Sequence, residues 1–316
     1  TQMKDFFSAL SSLPARFLWA SNAITRSAPH IRSANNTQRV WNYFVIASLP
    51  ACLIGLWSLG HQTNMAIADF QLEEIAGWRG WILTRSGIGF DADSISACFL
   101  HGLLYFLPII AVALAVGAFW EALFATLRKR PVDEGLLAIA WLFAMMLPAT
   151  VPMYQVALGM TFGIVIGKLI FGGSGRYLLS PALLGMTFLI FSYPSLFGEG
   201  AWVPVSGYDQ PTVLELLNDE GGLGVIAAVD YNYWQLFLGD KPGALGVVST
   251  AAALLGALFL MLTGVASWRM VLGTFLGFIG VALVSNAIAP DHYLFSVPWY
   301  WHMVLGGFVF GAVFVA

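Results

Sequence analysis

Apolar residues run in long blocks along this chain, and each block approaches the roughly 20 residues that an α-helix needs to cross a bilayer. The pattern predicts spans at Val40–Gly60, Cys98–Ala125, Leu136–Met153, Gln155–Phe171, Pro181–Tyr193, Ala244–Ser267, Met270–Ala289 and Val297–Ala316. The fourth and fifth spans are short, and Pro148, Pro152 and the cluster Gly172–Gly175 bracket them. Such interruptions are typical of broken or tilted membrane helices.

The composition supports this interpretation. Hydrophobic residues make up 59% of the 316 residues and charged residues only 10%, whereas a soluble domain carries about 25% charged residues. We therefore predict an all-α polytopic membrane protein with the lipid bilayer as a partner and no nucleic-acid partner. Cys52 and Cys98 lie in apolar stretches, which favours buried small hydrophobes over a disulfide or a metal pair.

The distribution of charge predicts the orientation of the spans, because basic residues concentrate in cytoplasmic segments. When eight spans are threaded, all the basic segments fall on one side: residues 1–39, residues 128–130, the Lys168 and Arg176 pair, and Arg269. The loop 195–243 falls on the other side and carries seven acidic residues against one lysine. We expect a cytoplasmic N-terminal segment over residues 1–39, a membrane domain over residues 40–316, and an exported loop 195–243.

A glycine-rich break between the fourth and fifth spans is the first candidate site. Gly172, Gly173 and Gly175 bunch together, Lys168 and Arg176 flank them, and Ser180-Pro181 restarts an apolar helix. Irregular backbone near membrane depth persists only where protein buries it or a cavity hydrates it. The break therefore predicts a site for a ligand, an ion or a cofactor, although close helix packing through small residues is the alternative.

Two further positions carry candidate chemistry. Glu121 is an acid near the end of the second span, and acids in apolar segments are functional candidates by default. The alternative for Glu121 is an ion pair with Arg128 or Lys129 at the membrane interface. Thr212 is followed three residues later by Glu215 and then by an apolar run, which predicts a capping box at the start of a short helix.

Several long blocks of the chain resemble one family. The blocks read QVALGMTFGIVIGKLIFGGSGRYLLSPALLGMTFLIFSYP, HGLLYFLPIIAVALAVGAFWEALFATLRKRPVDEGLL, LPATVPMYQVALG and TRSAPHIRS. Together they closely resemble the B subunit of the sodium-pumping NADH:quinone oxidoreductase, and the likeness covers essentially the whole chain. The D subunit of the Rnf ferredoxin:NAD oxidoreductase shares the core of this pattern. By the family pattern, we expect a piece of a longer polypeptide, with further helices after Ala316.

The resemblance implies a membrane electron carrier in a multi-subunit respiratory complex of the bacterial cytoplasmic membrane. The family passes electrons from NADH through flavins to quinone and couples this transfer to Na⁺ export. It implies an inverted-repeat architecture similar to that of urea channels, which suits broken helices whose backbone carbonyls bind Na⁺. The sequence contains no Cys-x-x-Cys, Rossmann or P-loop motif, which predicts that NADH is oxidised by another subunit.

The resemblance also implies a covalent FMN, esterified through its phosphate to Thr212. The family motif reads Asp-Gly-x-Ser-Gly-Ala-Thr, and the segment here is SGYDQPT, residues 206–212. Only Gly207 and Thr212 match at the defined positions, with Tyr208 at the variable one. Asp209 places an acid where the phosphate would approach.

Two more sites follow from the resemblance. A non-covalent riboflavin is expected at the glycine break, at Gly173, Gly175, Tyr177 and Ser180, where the family wording GKNFLNPA has asparagines in place of Tyr177 and Ser180. A quinone site is expected near Gly117, Ala118 and Glu121, where the family reads Gly-Gly-Phe-Trp-Glu.

The sequence leaves two alternative functions open. One is an Rnf-type D subunit, which would use ferredoxin rather than quinone. The other is a flavin-free channel or transporter on the same scaffold, which the altered motif at Thr212 and the replaced asparagines favour.

Overall fold

The computed structural model describes residues 6–12, 28, 36–72, 77–85, 87, 89–198, 200–205, 207–208, 211–220, 224, 231–288, 295 and 297–315. A helical segment at residues 6–12 precedes the main helices. These are α1 (Thr37–Asp69), α2 (Trp78–Arg85), α3 (Ile95–Arg128), α4 (Leu136–Met146), α5 (Met153–Ile164), α6 (Pro181–Ser192), α7 (Val213–Glu220), α8 (Tyr233–Leu238), α9 (Thr250–Leu262), α10 (Trp268–Ile288), α11 (Trp299–Leu305) and α12 (Phe308–Phe310). Helix α5 continues as a π-helix at Val165–Leu169, a 3₁₀-helix follows α6 at Pro194–Phe197, and a second π-helix follows α12 at Gly311–Val315.

The predicted fold class is confirmed: the regular structure over the described residues is helical, and much of it is apolar. Helices α1, α3 and α10 are long and apolar enough to cross a membrane. The stretches Leu136–Met146, Met153–Leu169, Pro181–Ser192 and Thr250–Leu262 are shorter apolar helices. The number of spans, their orientation and the inverted repeat stay predictions.

Helices α1 and α3 cross closely at the centre of the molecule, because glycines leave room for backbone against backbone. A Cβ on Gly60 would overlap the carbonyl group of Cys98, and a Cβ on Gly102 would overlap that of Leu56. This close approach is the packing that small residues permit between membrane helices. Cys52 and Cys98 are both buried and free, as the sequence predicts.

Helices α3, α4, α5 and α6 pack around a second part of the core. Phe143 of α4, Met160 of α5 and Leu189 of α6 are all buried there. A Cβ on Gly163 of α5 would crowd the backbone of Pro181 and Gly185 on α6, so these two helices also touch through small residues. This contact is the close helix packing that small residues permit.

Three of the predicted spans end in irregular backbone rather than continuing as helix. The predicted span Leu136–Met153 is helical only to Met146. The predicted span Ala244–Ser267 is helical only from Thr250 to Leu262, and the predicted span Val297–Ala316 is interrupted at Gly306 and Gly307. The predicted boundaries were wrong there because loops made of apolar residues look like helix on a hydropathy scale.

Candidate functional site

The glycine break lies between the π-helix Val165–Leu169 and α6, and its backbone requires glycine. Gly172, Gly173 and Gly175 have φ values of 111°, 104° and 85°, a region that side chains with a Cβ rarely adopt. The turn closes with the Gly173 amide donating to the Lys168 carbonyl at 3.1 Å. The chain therefore leaves the helix in a tight left-handed turn, as the glycine bunch predicts.

The loop between α3 and α4 holds this break in place. The Asp133 carboxylate accepts the backbone N–H of Ser174 at 2.7 Å, and the Glu134 carbonyl accepts the Ser174 hydroxyl at 2.6 Å. A Cβ on Gly173 would overlap the Asp133 carboxylate. The break therefore has a defined conformation, which is fixed by polar contacts from residues some forty positions earlier in the chain.

Lys168 and Glu121 form a buried ion pair beside the break. The Lys168 ammonium donates to Glu121 Oε1 and, at 2.8 Å, to the Glu134 carbonyl. Lys168 is 0% exposed and Glu121 is 2% exposed. Removal of one charge from such a pair strands the other in a low-dielectric interior. The pair therefore joins the two predicted regions, the glycine break and the end of the second span, in one site.

The predicted alternative for Glu121, an ion pair with Arg128 or Lys129, is wrong. Arg128 instead donates to the Leu169 carbonyl at 2.7 Å and lies over the Phe124 ring. Arg128 is seven residues from Glu121, about 10 Å along the helix axis. Lys168 reaches Glu121 from a neighbouring helix, so the shorter path comes from tertiary packing.

A cavity of about 140 Å³ opens beside this ion pair, and we refer to it as the Glu121 cavity. Its lining comprises Glu121, Phe124, Ala125, Arg128, Arg130, Pro131, Asp133, Leu169, Gly172 and Gly173. Sites for whole drug-sized ligands have about 300–1,000 Å³, so this cavity suits one ring of a larger ligand. Glu121 Oε2 has no hydrogen-bond partner among the described residues and can accept a donor from such a ring.

The remaining riboflavin-region residues, Gly175, Tyr177 and Ser180, are not part of the cavity lining. The Tyr177 hydroxyl donates to Ser174 Oγ at 3.1 Å, and its ring lies 6.2 Å from that of Trp41. Burial raises the pKa of Tyr177, so its phenol stays protonated at neutral pH. Gly175 is exposed, and Ser180 precedes α6 without a side-chain capping bond.

Two of the three quinone-region residues have packing roles. A Cβ on Gly117 would press into the side chains of Leu136 and Met160, so this glycine allows α3 to approach α4 and α5. Ala118 is partly buried against the same core. Of the three, Glu121 is the residue in the cavity lining.

Substitution of Gly173 by alanine should disrupt this site more than the same change at Gly175. Both positions have positive φ and would suffer about 1–2 kcal/mol of backbone strain. Only at Gly173 would the added Cβ also displace the Asp133 carboxylate, while a Cβ on Gly175 meets nothing within 4 Å. We expect Gly173→Ala to lose clearly more stability than Gly175→Ala in thermal unfolding of the purified protein. Equal losses would contradict the role given to the Asp133 contact.

Thr212 begins α7 in the capping box that the sequence predicts. Its hydroxyl accepts the Glu215 amide at 3.3 Å, and its own amide donates to the Glu215 carboxylate at 2.6 Å. The hydroxyl also donates to that carboxylate at 2.8 Å. Gly207, earlier in the motif, has a φ of 83°, and the Tyr208 ring meets the Phe70 ring at 5.6 Å. Asp209 lies outside the described residues.

A second cavity, of about 560 Å³, lies beside this motif, and we refer to it as the Arg79 cavity. Gly207, Arg79, Tyr105 and Thr150 are among its lining. Arg79 Nε donates to the Leu104 carbonyl at 3.4 Å, and the guanidinium lies 4.2 Å from the centre of the Tyr105 ring. This volume suits a whole flavin-sized ligand, and the arginine supplies a positive charge.

The two cavities lie at opposite parts of α3. Tyr105 lines one and Glu121 lines the other, and these residues are sixteen positions apart, about 24 Å along a helix. The sequence pattern does not identify Asp133, Glu134 or Arg79, and it places Lys168 beside the glycine break and on the cytoplasmic side without giving it a partner. One signal is available for Lys168: it is an isolated charge in an otherwise apolar run.

This fold and site define a multi-pass helical membrane protein with a charged, glycine-broken site inside the bundle. The model of the NQR2, RnfD, RnfE family matches residues 24–316, and the chain belongs to that family, as its sequence blocks indicate. The chain is 43% identical over 312 residues to the B subunit of the Na(+)-translocating NADH-quinone reductase of Chromohalobacter salexigens, covering 98% of this chain and 75% of that protein. Proteins of the same name from Azotobacter vinelandii and Pseudomonas aeruginosa are 41% and 40% identical, each over 95% of this chain and 75% of their own length.

Proposed function

We propose that this chain is the membrane-embedded B subunit of a Na⁺-translocating NADH:quinone reductase complex. It would relay electrons through flavins to quinone, together with the other subunits of that complex, in the bacterial inner membrane with its N-terminus in the cytoplasm. The names and identities of the relatives support this assignment. The observation that carries it is the Glu121 cavity, which is lined by an acid and a broken helix, with a buried lysine paired to that acid.

The Glu121 cavity supports a role in quinone reduction because its residues suit a quinone head group. Phe124 and Leu169 offer apolar walls, and Arg128 and Arg130 line the same space with positive charge. Reduction of a quinone to a quinol takes up two electrons and two protons. Glu121 Oε2, which lacks a hydrogen-bond partner among the described residues, is placed to hold a proton at the quinone oxygen. Lys168 fixes the other oxygen of the same carboxylate.

Fit to the surrounding residues supports the two flavin sites. For a riboflavin, which would supply one- or two-electron transfer when bound, Tyr177 and Trp41 offer aromatic surfaces next to the break. At Thr212 the hydroxyl is half-buried and lies at the start of α7, where a helix N-terminus favours a phosphate. The Arg79 cavity begins at Gly207, five residues from Thr212, within about 17 Å of extended chain. Glu215 must turn away from Thr212 before a phosphate can approach.

Na⁺ binding would rely on backbone carbonyls at the helix breaks. Na⁺ is a hard cation that prefers oxygen ligands, and carbonyl groups freed at broken helices coordinate such ions in transporters. Within the part of the chain that the structure describes, no group of three His, Cys, Asp or Glu side chains forms a metal site.

Reconstitution of the assembled complex into liposomes tests the proposed function. With NADH and a quinone supplied, we expect quinol formation and Na⁺ uptake into the lumen that continues when a protonophore is added. Quinol formation without Na⁺ uptake would limit the proposal to electron transfer. Absence of both activities, in complexes shown to contain every subunit and flavin, would contradict it.

A flavin-free transporter on the same scaffold is the second candidate, and one observation favours it. The Thr212 hydroxyl is already committed to Glu215, as expected of a purely structural cap. Solute or ion flux through the purified chain in liposomes, in a protein that carries no flavin, would support this candidate over the redox function.

A further inference from the structure

A second irregular region lies in the later half of the chain and reaches the middle of the bundle. Residues 239–249 are not helical, although they join α8 to α9. A Cβ on Gly55 would overlap the carbonyl group of Leu245, and the Ser58 hydroxyl donates to the Lys241 carbonyl at 3.1 Å. Gly55 lies near the midpoint of the 33-residue helix α1. The segment therefore penetrates deep between the helices.

This segment meets the interruption between α11 and α12. Val247 packs beside Gly307, and a Cβ on Gly246 would overlap the ring of Phe310. The Thr250 hydroxyl donates to the Met303 carbonyl at 3.2 Å. We call residues 239–249 together with Gly306 and Gly307 the second break. Two irregular segments that meet inside a helical membrane bundle are the arrangement from which transporters build ion pathways.

The side chain of Lys241 is buried inside the second break. It is 3% exposed, and its ammonium donates to the carbonyl of Val304, near the end of α11. Lys168, the lysine at the glycine break, differs from Lys241 because it is paired with the carboxylate of Glu121. The two breaks therefore present different electrostatic environments to an ion.

Among the described residues, no carboxylate is hydrogen-bonded to the Lys241 ammonium. The adjacent Asp240 is hydrogen-bonded to His61 Nδ1 at 3.1 Å and to Gln62 Nε2 at 3.0 Å, both on α1. Tyr231 interacts electrostatically with Asp240. The hydrogen-bond partner of the Lys241 ammonium is a neutral carbonyl group. When the lysine is protonated, a cation that entered the second break would therefore meet a like charge.

We propose that the ammonium group of Lys241 is an electrostatic barrier that prevents the passive return of Na⁺ through the second break. This inference rests on the proposed function, because it assumes that the complex builds a Na⁺ gradient. A fixed positive charge excludes cations from a narrow path by repulsion, as arginines do in selective membrane pores. The proposal assigns Lys241 a role in limiting the passive leak of Na⁺ through the complex and no role in electron transfer.

The structural alternative is that Lys241 serves only as a cap for the end of α11. A lysine near a helix C-terminus can satisfy a free carbonyl group and interacts favourably with the helix dipole. The two roles differ in what they require: a cap needs a hydrogen-bond donor, whereas a barrier needs a charge. Lys241→Gln keeps a donor and removes the charge, and Lys241→Arg keeps both.

The test uses the assembled complex in liposomes at pH 6, which favours the charged form of the lysine, with passive ²²Na⁺ entry measured in the absence of NADH. We expect Lys241→Gln and Lys241→Met to raise passive entry roughly tenfold, the effect of removing one unit charge acting over about 10 Å of protein. Lys241→Arg should show the same slow passive Na⁺ entry as the parent. Arg269→Gln, which removes an exposed cation at the start of α10, is the matched control. Its passive Na⁺ entry should equal that of the parent.

The outcomes separate this inference from the proposed function. NADH:quinone turnover in detergent should be unchanged in every variant, and it also reports that the complex has assembled. Passive entry in Lys241→Gln equal to that of a pumping parent would overturn the barrier, whatever happens to thermal stability. A parent complex that reduces quinone without pumping Na⁺ would limit the proposed function to electron transfer and would overturn the barrier, because there would be no Na⁺ gradient to protect.

Discussion

Lys168→Met should destabilise the protein by about 3–5 kcal/mol and abolish quinone reduction. The substitution leaves the Glu121 carboxylate buried without its partner, and an unpaired buried charge costs that much. It also removes the donor to the Glu134 carbonyl, which ties the loop between α3 and α4 to the break. Thermal unfolding of the purified complex and its NADH:quinone activity measure the two effects.

The double variant Lys168→Met with Glu121→Gln separates stability from chemistry. Because neither charge remains, we expect most of the lost stability to return, as happens when both members of a buried pair are replaced. Activity should stay low, because the glutamine cannot hold and release a proton at the cavity. A single Lys168→Met variant as stable as the parent would show that the pair is not buried as described. A fully active double variant would show that Glu121 takes no part in the reaction.

Thr212→Ala should eliminate covalent flavin from the chain. The proposed phosphoester needs the Thr212 hydroxyl, so intact mass spectrometry should detect the FMN increment in the parent and none in the variant. Loss of the helix cap should cost about 0.5–2 kcal/mol at the same time. Expression in the native host, together with its flavin-attaching machinery, makes the absence of flavin meaningful.

Two control variants separate the cap from the attachment. Thr212→Ser keeps a hydroxyl and a good cap, so it should still be able to carry flavin. Glu215→Gln keeps the capping box, because glutamine serves there as well as glutamate, and it removes the negative charge beside the hydroxyl. We expect Glu215→Gln to carry at least as much flavin as the parent. A parent without any flavin increment would contradict attachment at Thr212.

The local features of this molecule could be predicted from its sequence because they depend on neighbouring residues. The capping box joins Thr212 to a residue three positions away, and the break at Gly172–Gly175 follows from glycine backbone freedom. The burial of Cys52 and Cys98 follows from their apolar surroundings. Each of these predictions uses a rule that acts over a few residues.

The ion pair could not be predicted because it depends on packing between distant segments. Glu121 and Lys168 are 47 residues apart, and the hydrogen bond from the Ser174 amide to the Asp133 carboxylate spans 41 residues. The hydropathy pattern also predicted helix where the second break lies, since Ala244–Val248 is apolar but not helical. Pro242, Gly243 and Gly246 were the available signals there, and the length of the apolar run outweighed them.

The central claim, that quinone meets this chain at the Glu121 cavity, is tested most directly by photolabelling. The assembled complex would be irradiated with a quinone that carries a photoreactive group on its ring, digested, and mapped by mass spectrometry with excess unlabelled quinone as the competitor. We predict competed labelling at residues 121–133 and 169–173, which line the cavity. Competed labelling confined to residues 200–208, at the Arg79 cavity, or to another subunit would contradict it.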